Sequence, residues 1–218
     1  PCFSIGRTQE ILYALNKFVE SHTLENIKVY VDSPLAYRST EIFNKYKNYY
    51  DIEASKLLLN GDNPLDFKGL IFTKSTEESM KINNVKNNAV IISASGMCES
   101  GRIKHHLKYN LPRKESSIVF VGYQAYNTLG YKILHGDKIV NIFNKDVEVN
   151  AKIFTLEGLS GHADKEGLLN WINAFKEKPK NIFLVHGDLE AKTSLKESLE
   201  NQGYTATIVE SGKSFIPN

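Results

Sequence analysis

The chain has 218 residues, 41% of them hydrophobic and 24% charged, with a formal net charge of +2. Those values lie in the ordinary globular range and exclude wholesale disorder, collagen-like repeats and a long coiled coil. No stretch approaches the ~20 apolar residues of a membrane span and no signal-peptide pattern opens the chain, so no membrane partner is expected. Two cysteines, Cys2 and Cys98, have no framework spacing and suit a reducing, cytoplasmic setting better than a secreted scaffold. A +2 balance neither demands nor excludes nucleic acid. The sequence opens on Pro1 rather than Met, directly on helix-like material, which leads us to expect a piece of something longer.

Short apolar runs alternate with amphipathic stretches. After Gly6, the residues Ile11, Leu12, Leu15, Phe18 and Val19 fall on one helical stripe between Arg7 and Val19. A strand-like run, Ile27 to Val31, ends in Asp32-Ser33-Pro34. Ser33 reads as an N-cap and Pro34 as a first helical residue, so Leu35 to Tyr46 is expected to be helical. A loop through Gly61 and Pro64 leads to a strand over Gly69 to Thr73. Ser75 with Glu78 then forms a capping-box pattern that opens a short helix.

The second half continues the alternation. Ala89 to Ala94 is a near-continuous apolar strand, followed by a glycine-bearing loop and a helix from about Gly101 to Tyr109. Strands are expected over Ile118 to Val121 and over Val147 to Leu156, the latter entered from a hairpin at Asn144-Lys145, with a helix at Thr128 to Leu134 between them. Glu166 to Phe175 reads as a helix burying Leu168, Leu169, Ile172 and Phe175, with Trp171 as packing. A strand (Ile182 to Val185), a helix (Leu189 to Glu200) and a strand (Ala206 to Val209) complete the series. The pattern predicts an α/β fold with a mostly parallel sheet covered on both faces. Ligands in such sheets bind beyond the carboxyl ends of the strands. The weakest seam, Lys145 to Asn150, divides the chain into expected domains 1–150 and 151–218.

Three strand ends carry polar groups of chemical interest. Ser95, Gly96 and Met97, with Gly101 and Arg102, lie between a buried strand and a helix, a place where loop amides can cradle an anion. A tight βα turn that merely needs glycine explains the same residues. The spacing imitates a Walker A loop, but Arg102 and Ile103 stand where Lys and Ser/Thr are required. His162 lies two residues before Asp164 at a strand-to-helix junction and can act as acid, base or ligand. Equally, Asp164 can be a helix cap with His162 packed beside it. His186 follows the apolar strand Phe183-Leu184-Val185 and fits a metal ligand or a turn residue. Zinc takes three or four protein ligands, normally with a close pair such as H-x-H, and no H-x-H, H-E-x-x-H or C-x-x-C occurs here. The chain therefore owns part of a metal site.

Between Arg102 and Lys114 lie five cationic residues and no acid, with Lys104 and Lys108 facing outward at i, i+4. Phosphate contact and a solvated helix face both account for them. Only 4 of the 27 cationic residues are Arg, a composition that gives dedicated base or phosphate recognition only weak support. His105 and His106 are expected to split, one packed and one solvated. Tyr123 and Tyr126 can stack on bases, although packing is the commoner role.

The blocks GRTQEILYAL, VYVDSPLA, IISASGMCESGRIKHHLKYNL, VFVGYQAYNTLG, LEGLSGHAD and FLVHGD resemble, in order, the β-CASP branch of the metallo-β-lactamase superfamily. Its members are RNA-processing nucleases related to the mRNA 3′-end cleavage endonuclease and to ribonuclease J. The resemblance implies a β-CASP α/β domain in residues 1–150. Residues 151–218 would then be the C-terminal part of a metallo-β-lactamase αββα fold. It implies that His162 lies beside the scissile phosphate as proton donor or phosphate contact, that His186 is a ligand of one zinc ion, and that Ser95, Gly96 and Met97 hold substrate phosphate. Asp164 and Arg102 are implied in support.

The family's H-x-H-x-D-H signature, its bridging Asp and its motif A acid belong to an N-terminal lactamase half whose motifs are not in these 218 residues. The implied parent is a ribonuclease using two zinc ions, in which metal-activated water attacks the phosphodiester of an RNA substrate. The chain by itself is expected to be inactive, and its lactamase segment to keep an apolar face for the N-terminal half. A homodimer is left open. Two other readings stand beside this one: an inactive β-CASP module that binds RNA or a partner nuclease, and a metal-free nucleotide-binding α/β domain.

Overall fold

A computed structural model describes residues 1–156, 158–159 and 161–214. Glu157 and Ser160, both in the LEGLSGHAD block, lie outside the described residues. The chain divides into two compact units, Pro1–Leu159 and Ser160–Asn218.

Local chemistry accounts for most element boundaries in the first unit. It opens with α1 (Arg7–Glu20), β1 (Lys28–Asp32) and α2 (Pro34–Lys45). Ser33 caps α2 by accepting a hydrogen bond from the Ala36 N–H at 3.2 Å, and Pro34 takes the first helical position. Next come α3 (Ile52–Leu59), β2 (Leu70–Phe72), α4 (Thr76–Ile82) and β3 (Ala89–Ser93). The capping box of α4 is complete: Glu78 N–H donates to Ser75 Oγ at 3.1 Å, and Ser75 N–H donates to Glu78 Oε2 at 3.2 Å. The helix α3 was not anticipated. Its ends, Ile52 and Leu59, are exposed, so it shows no clean apolar stripe, yet Asp51 caps it through the Ala54 N–H at 2.8 Å.

These strands form a parallel sheet in the order β2-β1-β3, with Val31 opposite Phe72 and Asp32 opposite Ser93. Leu12, Val29, Val31 and Ile92 are buried in the core beneath it. The unit continues with α5 (Ile103–Asn110), β4 (Ser117–Phe120), α6 (Leu129–Leu134), β5 (Ile139–Ile142), β6 (Lys145–Glu148) and β7 (Lys152–Thr155). β4 pairs with β7 in parallel, and β5 with β6 as a hairpin. Ile103, Leu107 and Leu111 form an inward stripe packed with Phe120 and Ile133.

The single strand expected over Val147 to Leu156 is in fact two. The N–H groups of Asn150 and Ala151 both donate to the Leu111 carbonyl, at 2.8 and 2.9 Å. That outside acceptor takes the amides a continuing strand would use, and the chain changes partner there. The hairpin also differs by one residue from the expected position. Its two-residue loop is Phe143-Asn144, both with positive φ (54° and 57°), between the paired Ile142 and Lys145, as a type I′ turn requires.

The second unit contains α7 (Lys165–Asn173), β8 (Ile182–Leu184), α8 (Leu189–Asn201) and β9 (Ala206–Ile208). β8 and β9 pair in parallel over a small core of Ile172, Leu184, Leu199 and Ala206. Phe175 and Trp171 were expected to pack inward, but they are 49% and 63% exposed and meet edge to face, 5.2 Å between ring centres. Ile172 is the buried residue of α7, Phe175 lies just beyond the end of that helix, and Val185 and Leu189 are also exposed. Among the described residues every pairing except β5–β6 is parallel, which is the α/β class expected.

Candidate functional site

The parallel sheet β2-β1-β3 brings three polar strand ends side by side: Thr73 after β2, Asp32 at the end of β1 and Ser93 at the end of β3. Asp32 is fully buried. One carboxylate oxygen, Oδ1, accepts from Thr73 Oγ1 and from Arg102 Nη1, the latter at 2.7 Å. The other, Oδ2, accepts from Ser79 Oγ and from His106 Nε2, both at 2.6 Å. Its main-chain carbonyl accepts from Ser93 Oγ at 2.9 Å.

Burial alone would raise the Asp32 pKa. Hydrogen bonds from His106, Ser79, Thr73 and Arg102 outweigh it and hold the carboxyl well below the ordinary carboxylate range. Asp32 is therefore an anion at neutral pH, which makes His106 Nε2 the donor in their bond. The start of α5 supplies both nitrogenous partners: Arg102 is its N-cap residue and His106 lies four residues on.

Above this polar floor runs the loop from Ala94 to Arg102. The Ala94–Ser95 peptide bond is cis. Ser95 N–H donates to the Ser100 carbonyl at 3.0 Å, Ser100 N–H to Ser95 Oγ at 3.3 Å and Cys98 N–H to the Ser95 carbonyl at 3.2 Å. The carbonyls of Gly96 and Met97 accept from Gln124 Nε2 at 3.0 Å and from Gly130 N–H at 3.2 Å. Glu99 caps the start of α6 through the Leu129 N–H at 2.5 Å. Gly101 is obligatory: its φ is +80°, and a Cβ there would lie 2.4 Å from the Ala94 carbonyl oxygen. Burial pushes the Cys98 thiol up to about 11, so it packs as a small apolar group.

Each residue singled out in the sequence can now be placed. Ser95, Gly96 and Met97 form the loop, with the Ser95 amide engaged inside it. Arg102 is held inward by Asp32, with its side chain 22% exposed, so only part of the guanidinium remains for a ligand. His106 is buried, while His105 is exposed and lies against Phe143 at 4.6 Å between ring centres, the split expected of the pair. Lys104 sits over the same Phe143 ring at 5.1 Å. Arg113 is not part of a cationic face: it donates to the Lys86 carbonyl at 2.8 Å and to Asn110 at 3.2 Å. Tyr123 and Tyr126 are 63% and 68% exposed, and the Tyr126 ring meets Tyr131 edge to face at 5.3 Å between centres.

In the second unit Asp164 caps α7, accepting from the Gly167 N–H at 2.8 Å. His162 is exposed two residues earlier. His186 follows β8 with φ +64°, exposed, beside Gly187 at φ +90°. Among the described residues no three His, Cys, Asp or Glu side chains gather closely enough to hold a metal ion. His186 can offer one imidazole, but zinc takes three or four ligands, so the residues described here do not by themselves make a zinc centre.

The functional-site residue that the sequence does not single out is Asp32, which reads there only as the end of a strand-like run. Its signal was present in two pieces: an acid closing an apolar strand, and an Arg and a His spaced i, i+4 after another strand.

Two family models match the chain: the Beta-Casp domain over residues 8–133 and the Zn-dependent metallo-hydrolase RNA specificity domain over residues 146–209. The chain is 35% identical over 213 residues to Ribonuclease TTHA0252 of Thermus thermophilus, covering 98% of this chain and 48% of that protein. It is 34% identical over 196 residues to Transcription termination factor FttA of Methanocaldococcus jannaschii, covering 86% of this chain and 30% of that factor. The RNase J-like protein of the same organism is 31% identical over 188 residues, 86% of this chain and 42% of the relative. The chain thus spans about half the length, or less, of these curated relatives. With more than half of its residues inside the Beta-Casp match and the RNA specificity domain following in order, this protein belongs to the β-CASP family of the metallo-β-lactamase superfamily.

Proposed function

We propose that the chain is the RNA-side portion of a zinc-dependent ribonuclease, cleaving RNA phosphodiester bonds as part of the longer parent. The observation that carries this reading is the fixed cation at the glycine loop. A fully buried, ionised Asp32 holds the Arg102 guanidinium at the lip of the Ser95–Gly101 turn. A guanidinium anchored on one side keeps its orientation while its remaining N–H groups meet an anion. Half-buried Lys104 and Lys108 and exposed Tyr123 and Tyr126 add charge and stacking surfaces suited to single-stranded RNA.

In the same reading His162 holds a proton or a phosphate oxygen on the substrate, and Asp164 orients its segment by capping α7. His186 contributes one ligand to a metal centre completed by residues outside those described. The domain description "RNA specificity" over residues 146–209, which contain both histidines, supports RNA over DNA.

The test uses a short, end-labelled RNA. The intact parent is expected to cleave it and to lose cleavage on chelation. The 218-residue chain is expected to bind it without cutting, with an affinity that falls as salt rises by about 0.7 log units per log unit of salt for each phosphate contacted. Cleavage of DNA in preference to RNA by the parent, or RNA binding indifferent to salt, would sink the assignment.

A further inference from the structure

Ahead of α1 the usual polarity is inverted: Ser4, Thr8 and Gln9 are buried, while Phe3 and Ile5 are 46% and 61% exposed. A single outward apolar side chain is ordinary. Phe3 differs in that the chain is pinned on both sides of it. Cys2 N–H donates to the Ser93 carbonyl at 2.9 Å, at the end of β3. The Phe3 carbonyl accepts from Thr8 Oγ1 at 2.7 Å and from Thr8 N–H at 3.2 Å. Ser4 and Ser33 share a hydrogen bond between their hydroxyls at 2.9 Å, and the Ser4 carbonyl accepts from Gln9 Nε2 at 3.3 Å. The segment is thereby tied to the carboxyl ends of β3 and β1, beside Ser93 and Asp32.

The Phe3 ring lies against the glycine loop. A Cβ at Gly96 would stand 2.8 Å from two of the ring carbons, so the ring comes this close only because residue 96 is glycine. A second aromatic residue borders the same glycine. Gln124 Nε2 donates to the Gly96 carbonyl at 3.0 Å and to the Tyr123 carbonyl at 3.1 Å, which brings exposed Tyr123 alongside. The loop closes on itself through the Ser95 N–H and the Ser100 carbonyl, and Arg102 follows on the same turn, held by Asp32. Two aromatic residues, 120 positions apart in the chain, therefore flank a turn that carries an anchored cation.

We propose that Phe3 is a base-stacking residue and that, with Tyr123 beside it, it forms a nucleobase subsite for the RNA nucleotide adjoining the phosphate at Arg102. The proposal rests on the RNA reading above and deepens it, since it assigns a place to a base where that reading assigns one to a phosphate. A nucleotide joins an anion to a flat π-surface, and the turn offers a guanidinium and an exposed ring for the two. Because its neighbours already hold the ring, stacking costs it little conformational freedom. Every base has a π-face, so the subsite accepts all four bases without reading their edges.

A cycle between protein and RNA tests it, read as kcat/KM of the parent on short labelled RNAs that each carry one abasic ribonucleotide. With the native protein, one abasic position should cost about 10-fold, within the range for losing a base–aromatic stack. Phe3→Leu, which keeps an apolar side chain but no π-face, should cost about the same on intact RNA and nothing further on that abasic RNA. Its salt dependence should match the native protein's, because stacking releases no counterions. If no abasic position costs the native protein more than about 2-fold, the proposal is overturned, whatever the variant does. It is overturned too if Phe3→Leu lowers the melting temperature while the abasic loss persists, since the parent's own polypeptide would then cover the ring. A parent that cleaves no RNA sinks the RNA reading and this proposal together. Native rates for Phe3→Leu on every RNA sink this proposal alone.

Discussion

His106 and Asp32 lie 74 positions apart in the chain, yet Nε2 of one donates to Oδ2 of the other at 2.6 Å, both side chains buried. The pair anchors α5 to the carboxyl end of β1, and with Arg102 it ties the glycine loop to the sheet. Because Asp32 is ionised and has no exposed surface, its partners matter structurally: removing the carboxylate leaves a buried imidazole and a partly buried guanidinium without their acceptor.

The first prediction follows from that relationship. Asp32→Ala should destabilise the folded chain by about 3–5 kcal/mol in urea unfolding, the range for breaking one side of a buried ion pair. Asp32→Asn keeps the volume but leaves Arg102 without its counter-charge, and should lie between Ala and the native protein. A loss below about 1 kcal/mol for Asp32→Ala would show that the cluster contributes little.

A pH dependence goes with it. The folded pKa of Asp32 is depressed, so the unfolded chain binds the extra proton first as the solution is acidified. The stabilisation is complete well above an unfolded carboxyl value of about 3.9 and falls as pH drops through and below it. Unfolding free energies of native protein and Asp32→Asn should differ by a constant amount from pH 7 to about 5 and converge in stronger acid. A gap that widens below pH 4 contradicts the assignment.

Gly101→Ala tests the loop. The new methyl group meets the Ala94 carbonyl oxygen and the backbone is held at φ +80°, so strain of about 1–3 kcal/mol is expected. Thermal melting should fall accordingly, and RNA affinity should fall further than stability alone explains. Unchanged melting would mean that the loop can be rebuilt at no cost.

The two histidines of the second unit are separable in the parent. His162→Ala should lower RNA turnover about 10²–10⁴-fold, the range for removing a general acid or base, while metal content is retained. His186→Ala should lower both turnover and bound metal. Elemental analysis beside a labelled-RNA assay distinguishes them, and full turnover by either variant removes that residue from the site.

Thiol chemistry gives a simple check of the packing. Cys2 and Cys98 are both free and buried, and burial raises both thiols. Neither should react with an aromatic disulfide reagent at pH 8 in the folded chain, and both should react promptly in denaturant. Rapid labelling of Cys98 without denaturant would show that the loop opens.

Much of this protein was legible because the causes are local. Ser33 with Pro34, and Ser75 with Glu78, set helix starts through contacts spanning three residues, and sequence spacing reports such contacts directly. The ordered motif blocks likewise indicated the family. Elements governed by distant partners were misread. The break between β6 and β7 depends on the Leu111 carbonyl, about 40 residues upstream. The exposure of Phe175 and Trp171 reflects how little surface the small core of Ile172, Leu184, Leu199 and Ala206 covers.

Asp32 marks the division most clearly. The sequence by itself determined an acid at the end of an apolar strand, a glycine loop after another strand, and an Arg–His pair one helical turn apart. Only the tertiary structure decided that these are one site, through partners 41, 47, 70 and 74 positions from Asp32. The physical reason is desolvation. A carboxylate taken wholly out of water must find its hydrogen bonds in the protein, and which residues supply them is set by how the strands are ordered in the sheet.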